Sequence, residues 1–108
     1  MTRTVLCYGD SNTHGTMPMA GLDDMRRHPW PVRWPGQLQA LLPHWRVIEE
    51  GLPGRTTVHD DPVEGAHRNG LTVLPAILHS HAPIDAVILM LGTNDLKPRF
   101  AVNAMDIA

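Results

Sequence analysis

Three short apolar runs, each closed by glycine, constrain the fold of this chain more than any other feature. They are Thr4–Tyr8 (TVLCY) before Gly9, Arg46–Glu50 (RVIEE) before Gly51, and Asp85–Leu91 (DAVILML) before Gly92. Each reads as a short strand, and the last, with six apolar residues in a row, is the clearest. Between the first two lies PGQLQALL, residues 35–42, with proline where a helix can begin. Leucines 38, 41 and 42 then share one face, and Pro43 stops the run. Between the second and third, Leu71, Leu74, Ile77 and Leu78 recur at helical spacing up to His79, with Pro75 interrupting. Residues 14–33 and 51–70 read as irregular, and connections of that length usually carry function or move. The order β-α-β-α-β implies a parallel sheet with helices on its faces.

Composition narrows the partners. The 108 residues are 43% hydrophobic and 19% charged, the balance of a soluble globular domain. A net charge of −2, a pI near 6.3 and scattered basic residues give no reason to expect nucleic acid. No run approaches the ~18 apolar residues of a membrane span. Met1-Thr2-Arg3 leads straight into the first strand without a signal-type apolar region, which favours the cytoplasm. Cys7 is the only cysteine and lies inside the first apolar run, so it reads as a buried, inert thiol in a reducing compartment.

At the other end, Asn103-Ala104-Met105-Asp106 reads as a capped helix start, with an acidic residue three positions after the cap. About one turn follows, too short for cooperative stability alone. Three strands would also leave an apolar strand, residues 86–91, as a bare sheet edge. These points suggest the N-terminal part, 1–108, of a larger single domain.

In an open α/β sheet, ligands sit beyond the carboxyl ends of the strands. Three loops leave such ends: Gly9-Asp10-Ser11-Asn12, Gly51-Leu52-Pro53-Gly54-Arg55-Thr56-Thr57 and Gly92-Thr93-Asn94-Asp95. A serine just past a buried strand sits on a sharp turn with its hydroxyl presented, and a following helix would point its first amides at developing charge. Ser11 Oγ is then a candidate nucleophile. The Ser11 amide, the Gly54 amide and the Asn94 side-chain NH₂ are candidate oxyanion donors.

The blocks YGDSNTHG, EEGLPGRTT and VILMLGTND, in this order and spacing, resemble the SGNH (GDSL-type) hydrolases. VRWPGQL, DDP, RNG and the Leu74-Pro75 pair extend the resemblance over nearly the whole chain and point to the arylesterase branch. Some members of that branch are also acyltransferases or perhydrolases. The resemblance implies a flavodoxin-like three-layer α/β/α sandwich with a parallel sheet, of which three strands are present. It implies Ser11 as nucleophile, with its amide, Gly54 and Asn94 as the oxyanion hole. Asp10, Asn12 and His14 would line the substrate side. Small esters are the implied substrates, and no metal or organic cofactor is implied.

The sequence departs from the family in two places. The general base and its acidic partner come from a late D-x-x-H block, and no Asp here is followed by His three positions later. Losing the base costs about 10⁶-fold in a well-studied serine hydrolase. These residues alone should therefore be nearly inactive, with the C-terminal Asp and His supplied from elsewhere, for example on a separate chain. The alternative is a catalytically dead module that binds or assembles through its exposed edge; a homo-oligomer is expected. Asn12 also replaces the leucine of the literal GDSL, and His14 stands where related arylesterases often carry an aromatic.

Other patterns have plainer explanations. Asp10, Asn12, His14 and Gly15 half match a calcium loop, but His holds the fifth position and Gly21 the twelfth. His59, Asp60, Asp61, Glu64 and His67 lack the tight helical spacing of a zinc motif and read as a solvated loop, with a structural Asp60-Asp61-Pro62 turn as the alternative. A metal-dependent hydrolase acting through His59 and His67 is the third reading. His79 and His81 suit a helix C-terminus. Trp30, Trp34 and Trp45 read as core or interface packing, and Arg55 and Arg68 as surface or interface ion pairs, with anionic-substrate binding as the alternative.

Overall fold

The structure is a computed structural model that describes residues 2–18, 20–21 and 23–107. Strands β1 (Arg3–Gly9), β2 (Trp45–Gly51) and β3 (Ala86–Met90) form one parallel sheet in the order β2-β1-β3. Val5 pairs with Val47 on one side and Ala86 on the other. The central strand is the most apolar, and Val5, Leu6, Cys7 and Tyr8 are all at most 3% exposed. Fully burying an aliphatic side chain contributes roughly 1.5–3 kcal/mol, so β1 anchors the domain.

Among the described residues four α-helices accompany the sheet: α1 (Ser11–His14), α2 (Trp34–Leu41), α3 (Gly70–His81) and α4 (Ala104–Ile107). Trp30, Trp34, Leu38 and Trp45 pack on the Val5, Cys7 and Val47 side chains, so α2 covers one face. Leu41, expected on the same buried face as Leu38, is 77% exposed, because only a narrow stripe of this eight-residue helix meets the sheet. Tyr8 points to the opposite face, where its hydroxyl donates to the Gly70 carbonyl at the start of α3. The result is the α/β/α layering implied by the blocks. Cys7 is buried and free, and burial is the main cause of its thiol pKa rising to about 11, with the Glu49 carboxylate adding to it.

α3 runs through Pro75. The carbonyl that proline leaves without a helical donor belongs to Leu71, which is exposed in the first turn, where water can serve it. Asn69 caps this helix by accepting the Thr72 amide. At α4, Asn103 and Asp106 cap each other reciprocally, as the sequence suggests. β3 is an edge strand, and Val87, Ile88, Leu89 and Met90 are 37–59% exposed on its two faces.

Candidate active site

The backbone leaves β1 at Gly9 and turns at once into α1. Asp10, only 2% exposed, is its N-cap: Oδ1 accepts the Asn12 amide, and its carbonyl accepts the Thr13 and His14 amides. Asp10 is thus committed to the turn, and Ser11 takes the first helical position, half-buried, at the carboxyl end of the central strand. The helix is one turn long, so it offers the individual amides of the turn rather than the summed dipole of a longer helix.

The second loop clamps onto the first. The Leu52 amide donates to the Gly9 carbonyl at 3.1 Å, and Arg55 Nη1 donates to the carbonyls of Gly9 and Glu50 at 3.1 and 2.6 Å. Arg55 is 4% exposed, with its guanidinium 4.0 Å from the centre of the Tyr8 ring. This corrects the expectation of a surface ion pair or anion binder: Arg55 is an internal brace that holds the ends of β1 and β2. Gly54 has φ +81°, and a Cβ there would lie 2.6 Å from Glu64 Oε2 and 3.4 Å from Arg68 Nε, so both backbone and space call for glycine.

The third loop is tied to the second. After Gly92, a 3₁₀ turn (Thr93–Leu96) presents Asn94, whose Nδ2 donates to the Arg55 carbonyl at 3.1 Å. A carboxamide nitrogen has two donors, so one remains for a ligand. Asp95, with no exposed surface, accepts the Thr57 amide at 2.9 Å and the Thr57 hydroxyl, and its Oδ2 lies 3.6 Å from His59 Nε2. Ser11, Gly54 and Asn94 therefore sit in one linked set of loops at the same end of the sheet. That end lies beside the point between β1 and β3 where the strand order reverses.

His14 lies on the same face of α1 as Ser11, and its Nδ1 is 3.3 Å from the Gly51 carbonyl. Burial is the main cause of its lowered pKa, and the Arg27 cation lowers it further. The neutral imidazole follows, with Nδ1–H on Gly51 and Nε2 as acceptor. Asn12 is exposed.

Among the described residues, no three His, Cys, Asp or Glu side chains converge as a metal-ligating group. His59 stacks on Phe100 with ring centres 5.0 Å apart. Asp61, expected in a solvated loop, is 2% exposed: it accepts the Val63 and Glu64 amides on Oδ1 and the Arg99 guanidinium on Oδ2 at 2.8 Å. The turn alternative holds for this residue. His81, the last residue of α3, pairs its Nε2 with Glu50 Oε1 at 2.8 Å. Two clefts, about 470 and 520 Å³, lie at the amino ends of the strands around Asp85, the wrong end of a parallel sheet for a ligand. No described helix is long and apolar enough to cross a membrane.

The family profile described as GDSL-like Lipase/Acylhydrolase matches residues 7–107, a span that includes all three loops. The chain belongs to this family. Solved structures of the same lineage superpose closely. Est24, a carbohydrate acetylesterase from Sinorhizobium meliloti, is 47% identical with a TM-score of 0.92, over 98% of this chain and 49% of that one. The native aryl esterase of M. smegmatis is 45% identical with a TM-score of 0.91, over 98% and 49% of the respective chains. AlinE4, an SGNH-hydrolase family esterase, is 25% identical with a TM-score of 0.66, over 99% and 48%. The chain thus spans about half the length of these GDSL-like relatives. None of the curated proteins matches it.

Sequence reasoning passed over Asp95 and the Asp61–Arg99 pair. Asp95 directly follows Asn94 in the GTND block, and an acid beside the site amide is the signal the sequence holds for it. The Asp61–Arg99 pair spans 38 positions, and no local pattern announces it.

Proposed function

We propose that this chain carries the nucleophile half of a serine esterase acting on short acyl esters. The observation that carries the reading is the Asn94 amide tied to the Gly54–Arg55 loop at the carboxyl end of the strand that presents Ser11. Ser11 Oγ attacks the ester carbonyl while a base takes its proton. The carbonyl oxygen gathers charge against the Ser11 and Gly54 amides and the Asn94 NH₂. The C–O bond to the alcohol then breaks, the alcohol leaves with the proton, and an acyl group stays on Ser11. Water or a second alcohol releases it by the same route. The base and its acidic partner would come from a D-x-x-H segment outside these residues, on the same polypeptide or a separate one. The names of the relatives suggest two leaving-group classes, sugar alcohols and phenols.

p-Nitrophenyl acetate hydrolysis tests this on the protein with whatever polypeptide accompanies it. Activity should fall to background in Ser11→Ala and on the order of 10²–10³-fold in Asn94→Ala. Full activity in Ser11→Ala would end the serine reading, and if that activity then died with chelator, the metal reading through His59 and His67 would replace it. The exposed apolar edge of β3 favours a second reading, a catalytically silent module that assembles through that edge. Absence of any Ser11-dependent turnover beside stable self-association would select it.

A further inference from the structure

We propose that Arg99 is a positioning residue for the Asn94 oxyanion donor, acting through its hydrogen bond to the buried Asp61 carboxylate. The inference rests on the esterase reading of Ser11 and extends the site into the turn that follows Asn94.

Asn94 needs support from outside its own turn. It sits in the 3₁₀ turn Thr93–Leu96, and a second such turn, Pro98–Phe100, follows at once. Turns of this kind have poor hydrogen-bond geometry and little stability of their own. Among the described residues a single hydrogen bond, Nδ2 to the Arg55 carbonyl, holds the Asn94 carboxamide. The two turns are coupled, because the Lys97 amide donates to the Asn94 carbonyl and the Phe100 amide to the Lys97 carbonyl. Ala101 ends the second turn at φ +53°, a left-handed conformation that is costly for a residue with a Cβ. A strained end of this kind persists only where neighbouring contacts fix it.

Those contacts come from residues 57–65, and Asp61 makes the firmest of them. Its side chain has no exposed surface; Oδ1 accepts the Val63 and Glu64 amides, and Oδ2 accepts Arg99 Nη2 at 2.8 Å. Asp61 and Gly65 also exchange both backbone hydrogen bonds, at 3.2 and 2.8 Å, so the acceptor is immobile. A hydrogen bond between two charged groups is among the strong ones. The Arg99 guanidinium carbon lies 5.7 Å from the centre of the Phe100 ring, Phe100 stacks on His59, and His59 Nε2 is 3.6 Å from Asp95 Oδ2. The chain of contacts Asp61–Arg99–Phe100–His59–Asp95 thus ends on the residue next to Asn94. Lys97 and Glu64 face each other at 3.6 Å across the same gap, but both are partly exposed and add little. Without Arg99, Asp61 keeps its two amides and its turn. What is lost is the hold on the segment that carries Asn94.

The test pairs NMR on the ¹⁵N-labelled protein with p-nitrophenyl acetate hydrolysis by the protein and whatever polypeptide accompanies it. In Arg99→Gln the Asn94 side-chain amide signals should move toward those of a free carboxamide, while the Ser11 amide signal stays in place. Arg99→Lys keeps one N–H for Asp61 and should restore them. The kcat should fall about tenfold in Arg99→Gln with KM unchanged, because a misaligned donor is missed only in the transition state. In an Asn94→Ala background the same substitution should change nothing further. Asp61→Asn removes the charge from the other side and should repeat the Arg99→Gln result, so a folding failure in one variant leaves the other to decide. Unmoved Asn94 signals, or an equal loss of kcat without the Asn94 side chain, would overturn the proposal, and the NMR comparison decides even where turnover is absent. Ser11-dependent turnover at the wild-type kcat in Arg99→Gln removes the positioning role alone, whereas turnover that ignores Ser11 removes the esterase reading itself.

Discussion

The Asp95 carboxylate has no exposed surface, and both of its oxygens are engaged with Thr57. Asp95→Ala would leave the Thr57 amide without a partner in the interior, a loss of about 1–3 kcal/mol, readable by urea unfolding. Asn94 should be held less firmly in the same variant, because its own hydrogen bond to the Arg55 carbonyl is then left without the neighbouring Asp95–Thr57 tie. Asp61 behaves as a second tie with a pH signature. Burial alone would raise its pKa, but the Arg99 hydrogen bond and the Val63 and Glu64 amides outweigh burial and hold it down at about 2. The folded value lies below the ordinary aspartate value of about 3.9, so the stability it contributes is complete above that value and is lost as pH falls toward 2. Thermal melts across that window should show a steeper acid loss in the wild type than in Asp61→Asn. His14 acts in the same direction for a different cause, burial and the neighbouring Arg27 cation, since its lowered pKa also makes the folded state resist protonation. Its imidazole should titrate below about 6.5 by NMR, and the value should rise in Arg27→Ala. At this scale the sequence was a partial guide. The placement of Ser11, Gly54 and Asn94 at the carboxyl ends of the strands was legible because strand ends and glycines mark those loops. Arg55 was misread because its partners are backbone carbonyls, which leave no trace in side-chain pattern.

Among the elements, α1 is held by crowding as much as by its cap. A Cβ at Gly51 would run into the His14 amide nitrogen and Cα, both backbone atoms with little freedom to move. Gly51→Ala should therefore displace α1 from the end of β2 and cost about 1–3 kcal/mol in unfolding free energy, as overpacking does. A wild-type stability in that variant would mean that the packing of α1 on β2 is looser than described. The strands were readable from the sequence because a buried parallel strand needs an unbroken apolar run. The helices were less so. α1 is four residues, too short for any period to register, and α2 buries Leu38 while leaving Leu41 in solvent. Pro75 argued against α3, yet the helix absorbs it because the orphaned carbonyl falls in an exposed first turn.

Over the whole molecule, the order β2-β1-β3 puts the most buried strand in the middle and the site at its carboxyl end. Among the described residues the third strand has a neighbour on one side only, and its large side chains are 37–59% exposed on both faces. Solved relatives are matched over about half their length, and the proposed esterase needs a further segment that would cover this edge and bring the base. In isolation the chain should self-associate as concentration rises, seen by sedimentation velocity, and Ile88→Lys should reduce it. A folded species that stays monomeric throughout would contradict both the edge argument and the larger-domain inference. Topology was legible from the β-α-β-α-β order, but the exposed extent of β3 was not, because an apolar run looks the same whether or not something covers it. The most direct test of the central claim is peptide mass spectrometry of the protein quenched during p-nitrophenyl acetate turnover. An acetyl group mapped to Ser11, and missing in Ser11→Ala together with the activity, is the predicted result. Turnover that continues in Ser11→Ala, or acetylation found only on other residues, would contradict it.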